Sequence, residues 1–167
     1  TWAPEGGRLA FFDQKTGQTR VLSLQTNEEM ALTTTTGLPG AWPPDGAAML
    51  FVGILPEAEV EALLLANFNL LDISALLNSE VMHGNFLAQP QWSPDGEWVV
   101  FTFQPEGRTM GNQLWLMPLD MSFGQIIAAD MTYTYYNFQW DAWSQALVYQ
   151  RLKLAEADAQ PEIMLWQ

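Results

Sequence analysis

Apolar residues in this chain fall in short runs separated by turns that carry Pro, Gly, Asp or Asn. Such runs, rich in Val, Leu, Ile and aromatic residues, predict short β-strands. A first set covers Arg8–Phe12, Ala48–Val52, Glu97–Phe103 and Ala146–Gln150. A second set follows at Arg20–Leu24, Asn67–Ile73, Gln113–Leu119 and Glu162–Trp166. Weaker runs come third, at Met30–Thr35, Leu76–Val81 and Gly124–Ala128, and Tyr133–Trp140 is a further strand. Two stretches break the pattern. Pro56–Ala66 is rich in helix formers behind a Pro that a first helical turn accepts, and Leu154–Gln160 is a second insertion rich in Ala and acidic residues.

The strand pattern repeats. Trp2, Trp42, Trp92 and Trp140 open the strings WAPEGGRLAF, WPPDGAAMLF, WSPDGEWVVF and WDAWSQALVY, at spacings of 40, 50 and 48 residues. Nine positions after each Trp stands an aromatic residue: Phe11, Phe51, Phe101 and Tyr149. Asp45-Gly46 and Asp95-Gly96 are tight-turn dipeptides, since Gly accepts positive φ and Asp tolerates it. The preceding Pro4, Pro44 and Pro94 fix φ at the point where the chain leaves a strand. About four short strands per repeat of this length is the arithmetic of a β-propeller blade. The repeats divide the chain at approximately 1–38, 39–88, 89–137 and 138–167, within a single domain.

The string Trp92-Ser93-Pro94-Asp95-Gly96, with Val99-Val100-Phe101 and Leu114-Trp115-Leu116-Met117 after it, resembles the repeat of TolB-type propellers. These are relatives of WD-type propellers and of the propellers of prolyl-oligopeptidase-like peptidases. The resemblance runs along the whole chain. It is closest in the third repeat and looser in the first, where Glu5 replaces Asp. In the fourth, Asp141-Ala142-Trp143-Ser144 lacks both Pro and Gly. It implies an all-β propeller or propeller segment, about four blades of four antiparallel strands. It also implies a periplasmic or extracellular protein that binds partners at the propeller mouth.

Composition narrows the function classes. Six Lys+Arg against 19 Asp+Glu leave a net charge of −13, which argues against nucleic acid and against anionic lipid as partners. No apolar run reaches the ~20 residues of a membrane-spanning helix. Cysteine is absent, so disulfides, zinc–thiolate sites and thiol nucleophiles are excluded. The chain opens without Met and without a signal-peptide pattern. The expectation is a processed product or a window on a longer polypeptide, with further blades or another chain closing the sheet edges.

The candidate residues fall into three groups. Trp2, Trp42, Trp92 and Trp140, with Asp45, Gly46, Asp95 and Gly96, are read as structural: one Trp per blade between neighbouring blades, and one turn per blade. Glu57, Glu59, Glu61, Glu156 and Asp158, on the two insertions, form a possible acidic rim for a partner with a basic surface, or else a solvated charged loop. Tyr133, Tyr135 and Tyr136 are candidates for a contact patch, with Phe138 and Trp140 in a buried strand. Leu63-Leu64-Leu65 is a second apolar contact or the inner side of a short helix. No cofactor, metal or catalytic residue is expected. His83 is the one histidine, and Met82-His83-Gly84-Asn85 matches neither a Gly-x-Ser-x-Gly elbow nor a His-Glu-x-x-His helix. The expected function is therefore a non-catalytic propeller scaffold for protein–protein contact, exported or extrinsic to a larger assembly. The alternatives are the propeller of a prolyl-oligopeptidase-like serine peptidase and a carbohydrate-binding propeller.

Overall fold

The computed structural model describes residues 1–55, 59–87, 90–119 and 124–167. Four small antiparallel sheets follow one another along the chain. The first holds β1 (Arg8–Asp13), β2 (Gln18–Ser23) and β3 (Glu29–Leu32). The second holds β4 (Ala48–Leu55), β5 (Val60–Asn67) and β6 (Asp72–Asn78), and α1 (Ser79–Met82) leads out of it. In the third, β7 (Gly84–Phe86) and β8 (Gln91–Trp92) share one edge of β9 (Trp98–Pro105), which pairs in turn with β10 (Gln113–Pro118) and β11 (Gln125–Ala128). The fourth holds β12 (Tyr133–Trp140), β13 (Leu147–Lys153) and β14 (Glu162–Trp166). This is the expected order of blades, all β.

The innermost strand of each blade ends at the repeated Trp. In blade four it is continuous. In blade three it is broken into β7 and β8, and in blade two it is reduced to the bridges Thr34–Gly53 and Ala41–Leu50. In blade one it is seen as the Trp2–Leu9 bridge.

The turn after each Trp has one geometry. Gly46 and Gly96 sit at φ +67° and +77°, and their N–H groups donate to Pro43 and Ser93 carbonyls three residues back. Asp45 and Asp95 accept the N–H groups of Ala47 and Glu97, so both are turn formers. The fourth repeat keeps the bend without its glycine. Ser144 occupies the equivalent position at φ +59°, and Asp141 accepts the N–H groups of Gln145 and Ala146.

Of the stretch Pro56–Ala66, read as rich in helix formers, residues 56–58 lie outside the described ones and the described part is not helical: Val60–Asn67 is strand β5, between β4 and β6, and the segment expected as the second strand, Asn67–Ile73, holds the turn to β6. The physical reason is burial on both faces. Ala62, Leu64 and Ala66 pack toward blade one, while Leu63 and Leu65 pack toward blade three. A strand held between two neighbours reads as a continuous apolar run, and tertiary burial overrides local helix propensity. Leu63, Leu64 and Leu65 are thus core side chains rather than an exposed contact.

Three cores lie between the blades. Ala10, Val21 and Leu32 meet Met49, Phe51 and Leu64. Leu50, Val52 and Leu63 meet Phe86, Val99, Phe101 and Phe103. Val100, Leu114 and Leu116 meet Tyr135, Phe138, Leu147 and Tyr149. Trp42, Trp92 and Trp140 each pack against the core between their own blade and the preceding one, and the Trp92 indole N–H donates to the Ala41 carbonyl at 3.2 Å. Trp2, by contrast, is exposed.

Candidate functional site

The strand order puts two sets of connections at opposite ends of the blades. One end carries the turns after each Trp together with the β2–β3 and β5–β6 turns. The other carries the β4–β5 and β13–β14 hairpins, where the acidic insertions lie.

At the hairpin end the expected rim is divided. Glu57 lies outside the described residues. Glu59 is exposed in its hairpin at φ +55°. Glu61 is a structural tie: its carboxylate accepts the Thr35 hydroxyl at 2.8 Å and the Phe86 N–H at 3.1 Å, which joins blades two and three. Glu156 pairs with Lys153 at 2.9 Å, and Asp158 is exposed. The tyrosines are divided as well. Tyr135 is 3% exposed, with its hydroxyl accepting the Asp130 N–H and donating to the Asp130 carbonyl. Tyr133 faces the same core and stacks on the Arg151 guanidinium, 4.3 Å from the ring centroid. Tyr136 points to the opposite face, beside Gln150. No single tyrosine patch exists, because side chains alternate along a strand.

The turn end carries a groove that the sequence did not announce. It has a volume of about 530 Å³ between blades one and two. Val21, Met30, Phe68 and Leu71 give it apolar surface, and Glu28 gives it a carboxylate, while the Glu29 carboxylate beside it is paired with Arg20 at 3.1 Å. Arg8 is fixed at its edge. The guanidinium donates to Glu5 at 3.0 Å, to the Gly46 carbonyl at 3.4 Å and to Asn69 at 3.3 Å, and lies 5.4 Å from the Phe68 ring centroid. Phe68 in turn packs on Trp42, with ring centroids 5.4 Å apart. Leu71 stands out: it is 74% exposed and held at φ +53°, a conformation costly for a bulky side chain. Such strain is stored where the surrounding structure imposes it, often at binding sites. Here the Asn67 side chain accepts the N–H groups of Asn69 and Leu70 and fixes the turn. The one sequence signal for this place was the pair Leu70-Leu71 inside an Asn- and Asp-flanked turn.

Several carboxylates are held below their ordinary range. The Lys15 N–H and Thr16 hydroxyl lower Asp13, and the Thr132 N–H and hydroxyl lower Asp130. Burial pushes Asp95 up, but the Ser93 hydroxyl, the Glu97 N–H and Ser144 together outweigh it. A carboxyl lowered on folding stabilises above its unfolded pKa, and that contribution is lost as pH falls through the folded value. Stability is therefore expected to fall as pH drops below about 4, and Asp130→Asn should flatten that slope, as read by thermal unfolding across this range.

Among the described residues, no group of three or more His, Asp or Glu side chains is placed to hold a metal, and no helix is long and apolar enough to cross a membrane. No family model matches the sequence, and no curated protein matches it. Solved structures do share the fold. TolB from Acinetobacter baumannii superposes with a TM-score of 0.66 at 15% identity over 98% of this chain and 39% of its own. The β-propeller domain of the Trilobed protease from Pyrococcus furiosus gives 0.61 at 13% identity over 96% of this chain and 50% of its own. Prolyl oligopeptidase B from Galerina marginata gives 0.65 at 12% identity over 97% of this chain and 27% of its own. The chain thus spans half or less of each of these three proteins, and its fold is that of a TolB-like β-propeller.

Proposed function

We propose that this chain, with its TolB-like propeller fold, is a non-catalytic scaffold that holds a protein partner in an exported or membrane-associated assembly. The groove between blades one and two carries this reading. It combines apolar surface, an exposed and strained Leu71, and the carboxylate of Glu28 on a chain of net charge −13. That chemistry suits a partner segment presenting an apolar side chain next to Lys or Arg. The acidic side chains Glu59 and Asp158 at the opposite end would extend the same preference to a second contact. A propeller supports this use because rigid blades carry variable turns.

Peptides selected from a random display library against the whole chain should be enriched in an apolar residue flanked by cations. Leu71→Asp should weaken their binding by about ten- to a hundredfold, and Glu28→Lys by less. Both side chains are exposed, so the fold is not at stake. Selected peptides whose affinity is unchanged by Leu71→Asp would place the docking surface elsewhere.

A second reading, favoured by the likeness to prolyl oligopeptidase B, makes the chain the propeller of a serine peptidase. A Gly-x-Ser-x-Gly elbow in sequence flanking these residues, and peptide hydrolysis by the longer protein, would favour it.

A further inference from the structure

The groove between blades one and two has a counterpart between blades two and three. Its volume is about 300 Å³, and Pro43, Pro44, Ala48, Leu65, Trp92 and Leu119 give it apolar walls at the same turn end. Strand register makes the two grooves one repeat position. In blade one Arg8 pairs with Ser23 and Ala10 with Val21, and in blade two Ala48 pairs with Asn67 and Leu50 with Leu65. Arg8, Val21 and Ser23 line the first groove, as Ala48, Leu65 and Asn67 line the second. The facing wall is equivalent as well. Phe68 walls the first groove and Leu119 the second, and their N–H groups donate to the carbonyls just before β4 and β9, Ala47 at 3.4 Å and Glu97 at 2.9 Å. In the third seam the place of Arg8 and Ala48 belongs to Trp98, across the ladder from Pro118 and packed against the core between blades three and four. A bulky ring thus stands there where the second groove has a methyl group.

We propose that the two grooves receive successive apolar side chains of one partner segment, an inference that rests on the first groove being the docking site. Packed sheets lie about 10 Å apart, so the two side chains stand about that far apart on one face of the segment. A helix offers this with residues about seven apart and a polyproline-type segment with residues about three apart, whereas a β-strand turns the third residue to its other face. Charge selects what flanks them. Arg8 is already paired with Glu5 at 3.0 Å, while among the described residues neither Glu28 at the first groove nor Asp45 at the second has a cationic partner. The two open carboxylates fit Lys or Arg beside each apolar anchor. Once one anchor is seated, the other docks from a high effective concentration, so the pair binds more tightly than either alone.

The test takes the tightest peptide selected against the whole chain and crosses it with two variants by isothermal titration calorimetry. Leu119→Asp, at an exposed side chain, weakens binding by about tenfold or more, as Leu71→Asp does at the first groove. Leu24→Asp, the same change at the equivalent place of blade one and outside both grooves, leaves it unchanged. Replacing one of the peptide's two apolar anchors by Ser costs as much as Leu119→Asp, and the two changes together cost no more than either; the other anchor is coupled to Leu71 in the same way. Circular dichroism of each variant checks that the fold is kept. Sensitivity to Leu71→Asp with indifference to Leu119→Asp overturns the second subsite and leaves the first groove standing. Indifference to Leu71→Asp overturns both. Losses at Leu119 that simply add to those of either peptide anchor would also overturn it, since no anchor would then be seated there.

Discussion

Phe101→Ala is expected to cost about 3–5 kcal/mol of stability, and the same change at Phe11, in the equivalent place of the first repeat, less than about 1 kcal/mol in the monomer. Phe101 is fully buried, stacks on Trp115 with ring planes 13° apart, and lies 5.7 Å from the Phe86 ring centroid. It fills the core between blades two and three from the blade-three side. Truncation removes the burial of a whole ring and leaves a cavity that two packed sheets cannot collapse around. For a domain of this size the loss corresponds to a melting point lower by roughly 6–20 °C. Differential scanning calorimetry at low protein concentration checks the pair. Equal losses at both positions would contradict the one-sided packing of blade one.

Asn112→Leu should cost about 2–4 kcal/mol although leucine has similar volume and greater hydrophobicity. Asn112 is 4% exposed and acts as a short mimic of a strand. Its Oδ1 accepts the Tyr135 N–H at 2.7 Å, and its Nδ2 donates to the Tyr135 carbonyl at 3.1 Å. The side chain therefore satisfies both backbone groups of a buried residue in the next blade. Leucine leaves both without partners where water does not reach them. Asn112→Asp distinguishes this account from simple packing. One carboxylate oxygen still accepts the Tyr135 N–H, but the other faces a carbonyl oxygen, so the variant should be destabilised at neutral pH and partly recover as the carboxyl protonates. Denaturant unfolding at two pH values reads this directly, and a neutral Asn112→Leu would remove the tie from the account.

The blade order was legible because it rests on side chains that recur: a Trp, a turn with one left-handed residue, and an aromatic nine positions on. Even the fourth repeat keeps that geometry through Ser144 and Asp141. What was not legible depended on neighbours. Val60–Asn67 is composed of residues with good helix propensity, and nothing local shows that both its faces will be covered. In β12 a register shift between Tyr136 and Gln139, where Asn137 adopts φ +51°, brings Phe138 onto the same core as Tyr135, which simple alternation would not do. The groove draws on Arg8, the β2–β3 turn and the β5–β6 turn, segments far apart in sequence that only the stacking of blades brings together. Glu61 looked like a rim carboxylate until its two acceptor contacts to Thr35 and Phe86 were in place.

Among the described residues the three cores are arranged in series, each between two blades adjacent in the chain, so the array behaves as a row of coupled units rather than as one body with a single centre. Among the described residues the two middle sheets contribute to two cores each and the first and fourth sheets to one. Tension applied between neighbouring blades would therefore open one core at a time. The contacts of Arg8 with Gly46 and of Asp95 with Ser144, one between the first two blades and one between the last two, are polar seams that would part with those cores.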